Sequence, residues 1–140
     1  MAYSGTYRGV RFRSLLELST IRWLEGERYE LGTTMLYEAT RIPYGRGLKR
    51  TYVVDLTLPQ TRSLLEVKPE SRLKGRTNVA KFRAAQVWAL ANGWTHRIVT
   101  DTDLRGMGLL LSLREAAGIP EVRLDGRALK ALGRKRKRAK

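Results

Sequence analysis

The sequence predicts a mixed α/β domain with an αβββαβ core, and two observations carry that prediction. Apolar spacing alternates between two periods. Leu15, Leu18, Ile21 and Leu24 recur at helical spacing, as do Val79, Phe82, Ala85 and Ala89, while Thr51–Leu58 and Ser63–Lys68 read as strands. The second helical stretch lies between the third and fourth strands. A crossover of that length returns the chain parallel to the strand it left, so the sheet is mixed. A chain of 140 residues can bury one core of its own.

In chain order, residues 1–13 are polar and aromatic and read as an irregular arm. Ser14-Leu15-Leu16-Glu17 fits the S-x-x-E capping box that opens a helix, which runs to about Leu24. Gly26 and Gly32 fall in the connection that follows. Met35 to Pro43 is rich in β-formers and ends in a Pro43-Tyr44-Gly45 turn. Gly45–Lys49 is a basic, glycine-rich loop. Thr51–Leu58, a Pro59–Arg62 turn and Ser63–Lys68 form a hairpin. Ser71–Arg76 is a second basic loop. Asn78–Asn92 is a helix with Gly93 at its C-terminal cap position, and His96–Thr100 is a short strand. Leu104–Ala117 reads as one helix despite Gly106 and Gly108, and Gly118 marks its end. This divides the chain into a folded domain, residues 1–126, and a basic C-terminal tail, residues 127–140.

Lys and Arg number 28 against 13 Asp and Glu, a net charge of +15. The tail carries Arg127, Lys130, Arg134, Lys135, Arg136, Lys137, Arg138 and Lys140 and no acid. The rest of the chain is still basic. A phosphate polyanion is the expected partner, since each base that meets a phosphate releases condensed counterions. A solvated, disordered tail would account for the terminal charge alone. The tail has too few large apolar residues for a membrane-surface anchor, and no apolar run has the length of a span. With no signal-peptide core, a cytoplasmic protein is expected. The absence of cysteine excludes disulfides and thiolate metal sites, and a single histidine, His96, excludes His-clustered zinc sites.

The informative side of the charge balance is acidic. Asp55 stands in the middle of an apolar strand, where a charge is costly unless paired or bound to metal. Strict alternation puts Val53, Asp55 and Thr57 on one face and Tyr52, Val54, Leu56 and Leu58 on the other. On the next strand Glu66 and Lys68 share a face, and the hairpin brings Asp55 beside Glu66. Two adjacent carboxylates need something positive between them. Without Cys or clustered His, that cation is hard and oxygen-loving, Mg²⁺ or Mn²⁺. An E-x-K alone reads as an ordinary exposed ion pair, and Asp55 at hairpin spacing is what separates the two readings. Glu17 has a local role available in the capping box, and a role in the site is compatible with it.

Asp55 followed by Glu66-Val67-Lys68 resembles the D…(D/E)-x-K motif of the PD-(D/E)xK nuclease superfamily, and Glu17 resembles its helix-borne acid. The closer resemblance is to the bacteriophage endonuclease I family of Holliday-junction resolvases. It is carried by Phe12-Arg13-Ser14, Leu16-Glu17, Tyr37-Glu38 leading to Pro43-Tyr44, Thr51-Tyr52, Asp55, Leu58-Pro59, Glu66 and Lys68, over residues 7–70. Val54 stands where the superfamily name has proline, and Pro69 where glycine is more usual. Beyond residue 70 only the basic end aligns. Glu66-Val67-Lys68-Pro69 is also similar to the TnsA-type transposon end-cleaving nucleases, which share the fold.

The resemblance implies a restriction-endonuclease-like fold and metal-dependent phosphodiester hydrolysis leaving 5′-phosphate ends. It implies Mg²⁺, with Mn²⁺ substituting, held by Asp55, Glu66 and the Val67 carbonyl, and a second ion held or oriented by Glu17. Lys68 would position the attacking water or stabilise charge on the scissile phosphate. Resolution of a four-way junction by paired symmetric nicks implies a homodimer. Arg8, Arg11, Arg13, Arg46, Lys49, Arg50, Arg72, Lys74 and Arg76 lie in the arm or loops and are expected to contact DNA phosphates. Lys81 and Gln86, on the second helix, match positions where related nucleases carry a basic or amide residue. Tyr7, Trp88, Trp94 and His96 read as packing residues. Two other readings stand beside the resolvase: a TnsA-like or other structure-specific nuclease, and a non-catalytic basic nucleic-acid-binding protein, which leaves Asp55 and Glu66 unexplained.

Overall fold

The computed structural model describes residues 2–139. The side chains of residues 134–140, and with them the tail bases Arg134, Lys135, Arg136, Lys137, Arg138 and Lys140, lie outside the described part.

A four-stranded mixed sheet organises the domain. It contains β3 (Leu36–Tyr37), β6 (Leu56–Leu58), β7 (Ser63–Val67) and β8 (Thr95–Val99), in the order β3-β6-β7-β8. β6 is antiparallel to β3 and β7, and β8 is parallel to β7. Helix α2 (Arg76–Asn92) makes the crossover between β7 and β8 and ends at Gly93 with a left-handed φ of 71°, as its cap position predicts. The α/β class, the mixed sheet and the crossover are those of a restriction-endonuclease-like fold.

Each face of the sheet has its own apolar core. On one side α1 (Leu15–Gly26) sets Leu18, Ile21 and Leu24 against Leu56, Leu58, Leu65, Val67 and Val99. On the other side α2 sets Ala85 against Leu64, Tyr52, Val54, Ile42 and Tyr44. Period-2 alternation along β7 therefore sends Leu65 and Val67 to the α1 side and Leu64, with its neighbour-but-one Glu66, to the α2 side. Of the residues expected to line the inner face of α2, Phe82, Ala85 and Ala89 are buried, but Val79, in its first turn, is exposed.

Three local expectations are corrected. The N-terminal arm is a hairpin, β1 (Gly5–Tyr7) and β2 (Val10–Phe12), turned at Arg8 and Gly9, both with positive φ. It joins β9 (Val122–Leu124) in a second sheet, β2-β1-β9. The stretch 51–58 is two strands, because the chain bends at Val54–Asp55. Its first half, β5 (Arg50–Val53), pairs with β4 (Arg41–Tyr44) in a separate two-stranded sheet. Leu36 opposes Thr57 while Arg41 opposes Val53, so the pairing slips by one residue across the bend, with Glu38 at a left-handed φ of 50°. The stretch 104–117 is also divided. Helix α3 (Asp101–Gly106) and helix α4 (Leu113–Ala117) each begin with their own capping box, Thr100 with Asp103 and Ser112 with Glu115. Gly108, at φ 71°, turns the chain between them. Helix α5 (Gly126–Ala139) follows β9, and Ala128 in its first turn is fully buried.

Candidate active site

The bend at Val54–Asp55 builds the site. Leu56 opposes Leu65, so Asp55 and Glu66 come next in register at the open end of the β6–β7 pair. The backbone N–H of Val67 donates to Asp55 Oδ2 at 2.7 Å, which turns the carboxyl toward the end of β7. Lys68 leaves the strand with its N–H bonded to the Val99 carbonyl, and its Nζ lies 4.0 Å from Glu66 Oε1. The segment after it is pinned to the start of α3. The N–H of Glu70 donates to Asp101 Oδ1 at 2.9 Å, and the Thr102 hydroxyl donates to Glu70. Asp55, Glu66 and Lys68 are thus brought together, as the hairpin spacing predicts.

Glu17 approaches from α1. Ser14 caps the helix by accepting from the Glu17 N–H at 3.1 Å. The Glu17 carboxylate does not close the box on the N-cap backbone. It reaches the Arg13 N–H, at 3.4 Å, and the Tyr37 hydroxyl, which donates to it at 2.7 Å. Only one of the two capping-box bonds is made, and the carboxylate is held by Arg13 and Tyr37 instead.

The electrostatics are those of acids held together without enough positive charge. Glu17 and Glu66 are buried at 6% and 5% exposure, while Asp55 is half-buried. Burial pushes Glu17 up to about 7, helped by the nearby Asp55 and opposed by the Tyr37 hydroxyl. Burial and the neighbouring Glu66 raise Asp55 to about 8, against the pull of the Val67 N–H and Lys68. Glu66 is raised by burial and drawn back by Tyr52, Asp55, Lys68 and Lys81. Lys68 alone therefore does not neutralise the pair, and a cation between the carboxylates would.

The donor set fits a hard divalent ion. Mg²⁺ is commonly held by one or two carboxylates plus waters, and Asp55 with Glu66 supplies such a pair of oxygen ligands. Among the described residues no group of three or more His, Cys, Asp or Glu side chains is gathered around one point, so Glu17 stands apart from the pair rather than completing a three-acid cage. Of Val67, it is the N–H that is seen engaged, holding Asp55.

The basic residues divide into two groups. Arg8 pairs with Glu25 and Glu121, Arg11 with Asp125, and Arg13 with Glu38. The Arg8 and Arg11 pairs fasten the β1–β2 hairpin to α1 and to the residues flanking β9, and Arg13, just after β2, ties to the segment that follows β3. Arg46, Lys49, Arg50, Arg72, Lys74 and Arg76 are exposed, with no acidic partner within 4.0 Å among the described residues. Lys81 lies 5.9 Å from the Tyr52 ring centroid, on the site side of α2, and Gln86 is exposed. Tyr7 is buried and donates to Glu25, and Trp88 packs edge-on against Trp94, as expected of packing residues.

Sequence reasoning missed Tyr52 as part of the site. Its hydroxyl donates to Glu66 Oε2 and lies 3.3 Å from His96 Nε2. Strict alternation sets Tyr52 opposite Asp55 and so pointed away from it. The bend, which alternation cannot show, brings both to Glu66. Tyr37, the partner of Glu17, was within the family motif but had no role.

With this geometry in place, the chain can be set beside known proteins. Residues 28–101 match the family model described as TnsA-like endonuclease N terminal. That span is more than half of the chain and contains Asp55, Glu66 and Lys68, while Glu17 precedes it. The chain belongs to the TnsA-like endonuclease N-terminal family, of restriction-endonuclease-like fold. Of the two resemblances within the superfamily, this is the TnsA-type one. No curated protein and no solved structure matches the chain. No helix among the described residues is long and apolar enough to cross a membrane.

Proposed function

We propose that the protein is a metal-dependent endodeoxyribonuclease acting on branched DNA, with the four-way junction as its substrate and paired nicks across the branch as its reaction. The single observation that supports the chemistry is the Asp55–Glu66–Lys68 cluster, two crowded carboxyls with one lysine at the end of a sheet, in a chain of net charge +15. Asp55 and Glu66 would hold Mg²⁺ or Mn²⁺, with the Val67 carbonyl as a further ligand and Glu17 orienting a second ion. The ion supplies Lewis-acid stabilisation of the phosphate oxygens and a more acidic water. Lys68 holds the attacking water or the scissile phosphate oxygen beside Glu66. Products carry 5′-phosphate and 3′-hydroxyl ends.

DNA is gripped through phosphates rather than bases. Arg72, Lys74 and Arg76 lie in the loop and helix start that come after Lys68, and Lys81 overlooks Tyr52, so these bases flank the cluster in the chain. Arg46, Lys49 and Arg50 extend the basic surface at the turn of the β4–β5 hairpin. Two nicks placed symmetrically about a branch call for a homodimer, one site per subunit.

The family match supports a second reading, a TnsA-like or other structure-specific nuclease that does not prefer four-way junctions. Cleavage of equimolar junction, fork, bulged duplex and linear duplex in Mg²⁺ separates them. Preferred, symmetric cutting of the junction supports the resolvase. Equal cutting of the fork or linear duplex supports the second reading.

A further inference from the structure

We propose that Tyr52 is a positioning residue for Glu66, and that His96 in turn fixes the Tyr52 hydroxyl. The inference rests on the reading of Glu66 as a metal ligand and extends it to two residues outside the acid–lysine motif.

Glu66 is buried on the α2 side of the sheet, where a carboxylate oxygen without a donor is costly. Its two oxygens have different neighbours. Oε1 lies 4.0 Å from Lys68 Nζ, and Oε2 accepts from the Tyr52 hydroxyl. Tyr52 is 2% exposed, so the bond is shielded from water. A phenol has one proton. Once that proton is given to Glu66, the oxygen can only accept from His96 Nε2, 3.3 Å away. This requires the tautomer with the proton on Nε2. His96 Nδ1 is buried with no hydrogen-bond partner, which agrees with its carrying no proton. The ring is held between Tyr52, edge-on at 6.2 Å, and Phe82 at 5.9 Å. The chain His96–Tyr52–Glu66 thus fixes one carboxylate oxygen and leaves the other on the Lys68 side. Partners of this kind commonly change metal affinity by about 10- to 100-fold when removed.

The test uses the full chain with Mn²⁺ alone as the probe, titrated by calorimetry, beside thermal melts of the metal-free protein and kcat and KM for junction nicking. Tyr52→Phe should bind Mn²⁺ about tenfold more weakly and lose kcat, with KM for DNA unchanged. His96→Gln retains an N–H donor and should stay near wild type, while His96→Leu should follow Tyr52→Phe. If Tyr52→Phe fails to fold, the His96 pair carries the comparison alone. Wild-type Mn²⁺ affinity in Tyr52→Phe, or equal affinity in His96→Gln and His96→Leu, overturns the proposal and leaves the nuclease reading standing. A wild-type chain that binds no Mn²⁺ overturns both.

Discussion

The N–H of Val67 donates to Asp55 Oδ2 at 2.7 Å, so the strand that carries Glu66 also holds the acid opposite it. One register between β6 and β7 therefore decides both the proximity of the two carboxyls and the orientation of one. The site is a property of the hairpin rather than of a loop that could settle elsewhere.

That proximity has a pH signature in the metal-free protein. Asp55 is raised from 3.8 to about 8 and Glu17 from 4.5 to about 7, chiefly by burial. The folded state then binds more protons than the unfolded chain between those values, so stability falls as pH rises from about 4 to 8. Asp55→Asn keeps an acceptor for Val67 and removes the charge. It should stabilise the metal-free chain at pH 8 by on the order of 1–3 kcal/mol and have little effect at pH 4. Urea unfolding in EDTA at both pH values measures this.

The two groups of bases should separate in salt titrations. Replacing Arg72, Lys74 and Arg76 together with Ala should weaken DNA binding and make the slope of log K against log salt shallower by about 2 to 3. Replacing Arg8 and Arg11 should lower the melting temperature, because Glu25, Glu121 and Asp125 lose their partners, and leave the slope unchanged.

Gly5 is required by space. A Cβ there would stand 2.4 Å from the Arg123 carbonyl oxygen and 2.8 Å from the Phe12 ring. Gly5→Ala should force β1 away from β2 and β9 and cost about 2–4 kcal/mol, read from chemical denaturation. Nicking by the folded fraction should be unaffected.

Much of the fold is legible because its signals are local. The Ser14 cap, the α1 stripe, the Pro59–Arg62 turn and the Gly93 stop each act within a few residues. So does the spacing that sets Asp55 against Glu66. The features that escaped are non-local. β1 and β2 have three residues each, too few for a period, and their third strand lies more than a hundred residues away. The bend at Asp55 is tied to a slip in the opposing segment near Glu38, which strand 51–58 does not reveal. Tyr52 was missed for that reason, since its contact with Glu66 exists only because the strand does not continue straight. The division of 104–117 was legible in principle, because Ser112 and Glu115 form a second capping box inside the apparent helix.

The most direct test is nicking of a labelled four-way junction in Mg²⁺ by wild type, Glu66→Gln and Lys68→Ala, with binding to the same junction measured in parallel. The wild type should nick two strands symmetrically about the branch. Both variants should lose at least about 10²- to 10³-fold in rate while binding with near wild-type affinity. Full activity in the variants, or a wild type that binds the junction tightly in Mg²⁺ and cuts no DNA, would contradict a catalytic role for the Asp55–Glu66–Lys68 cluster.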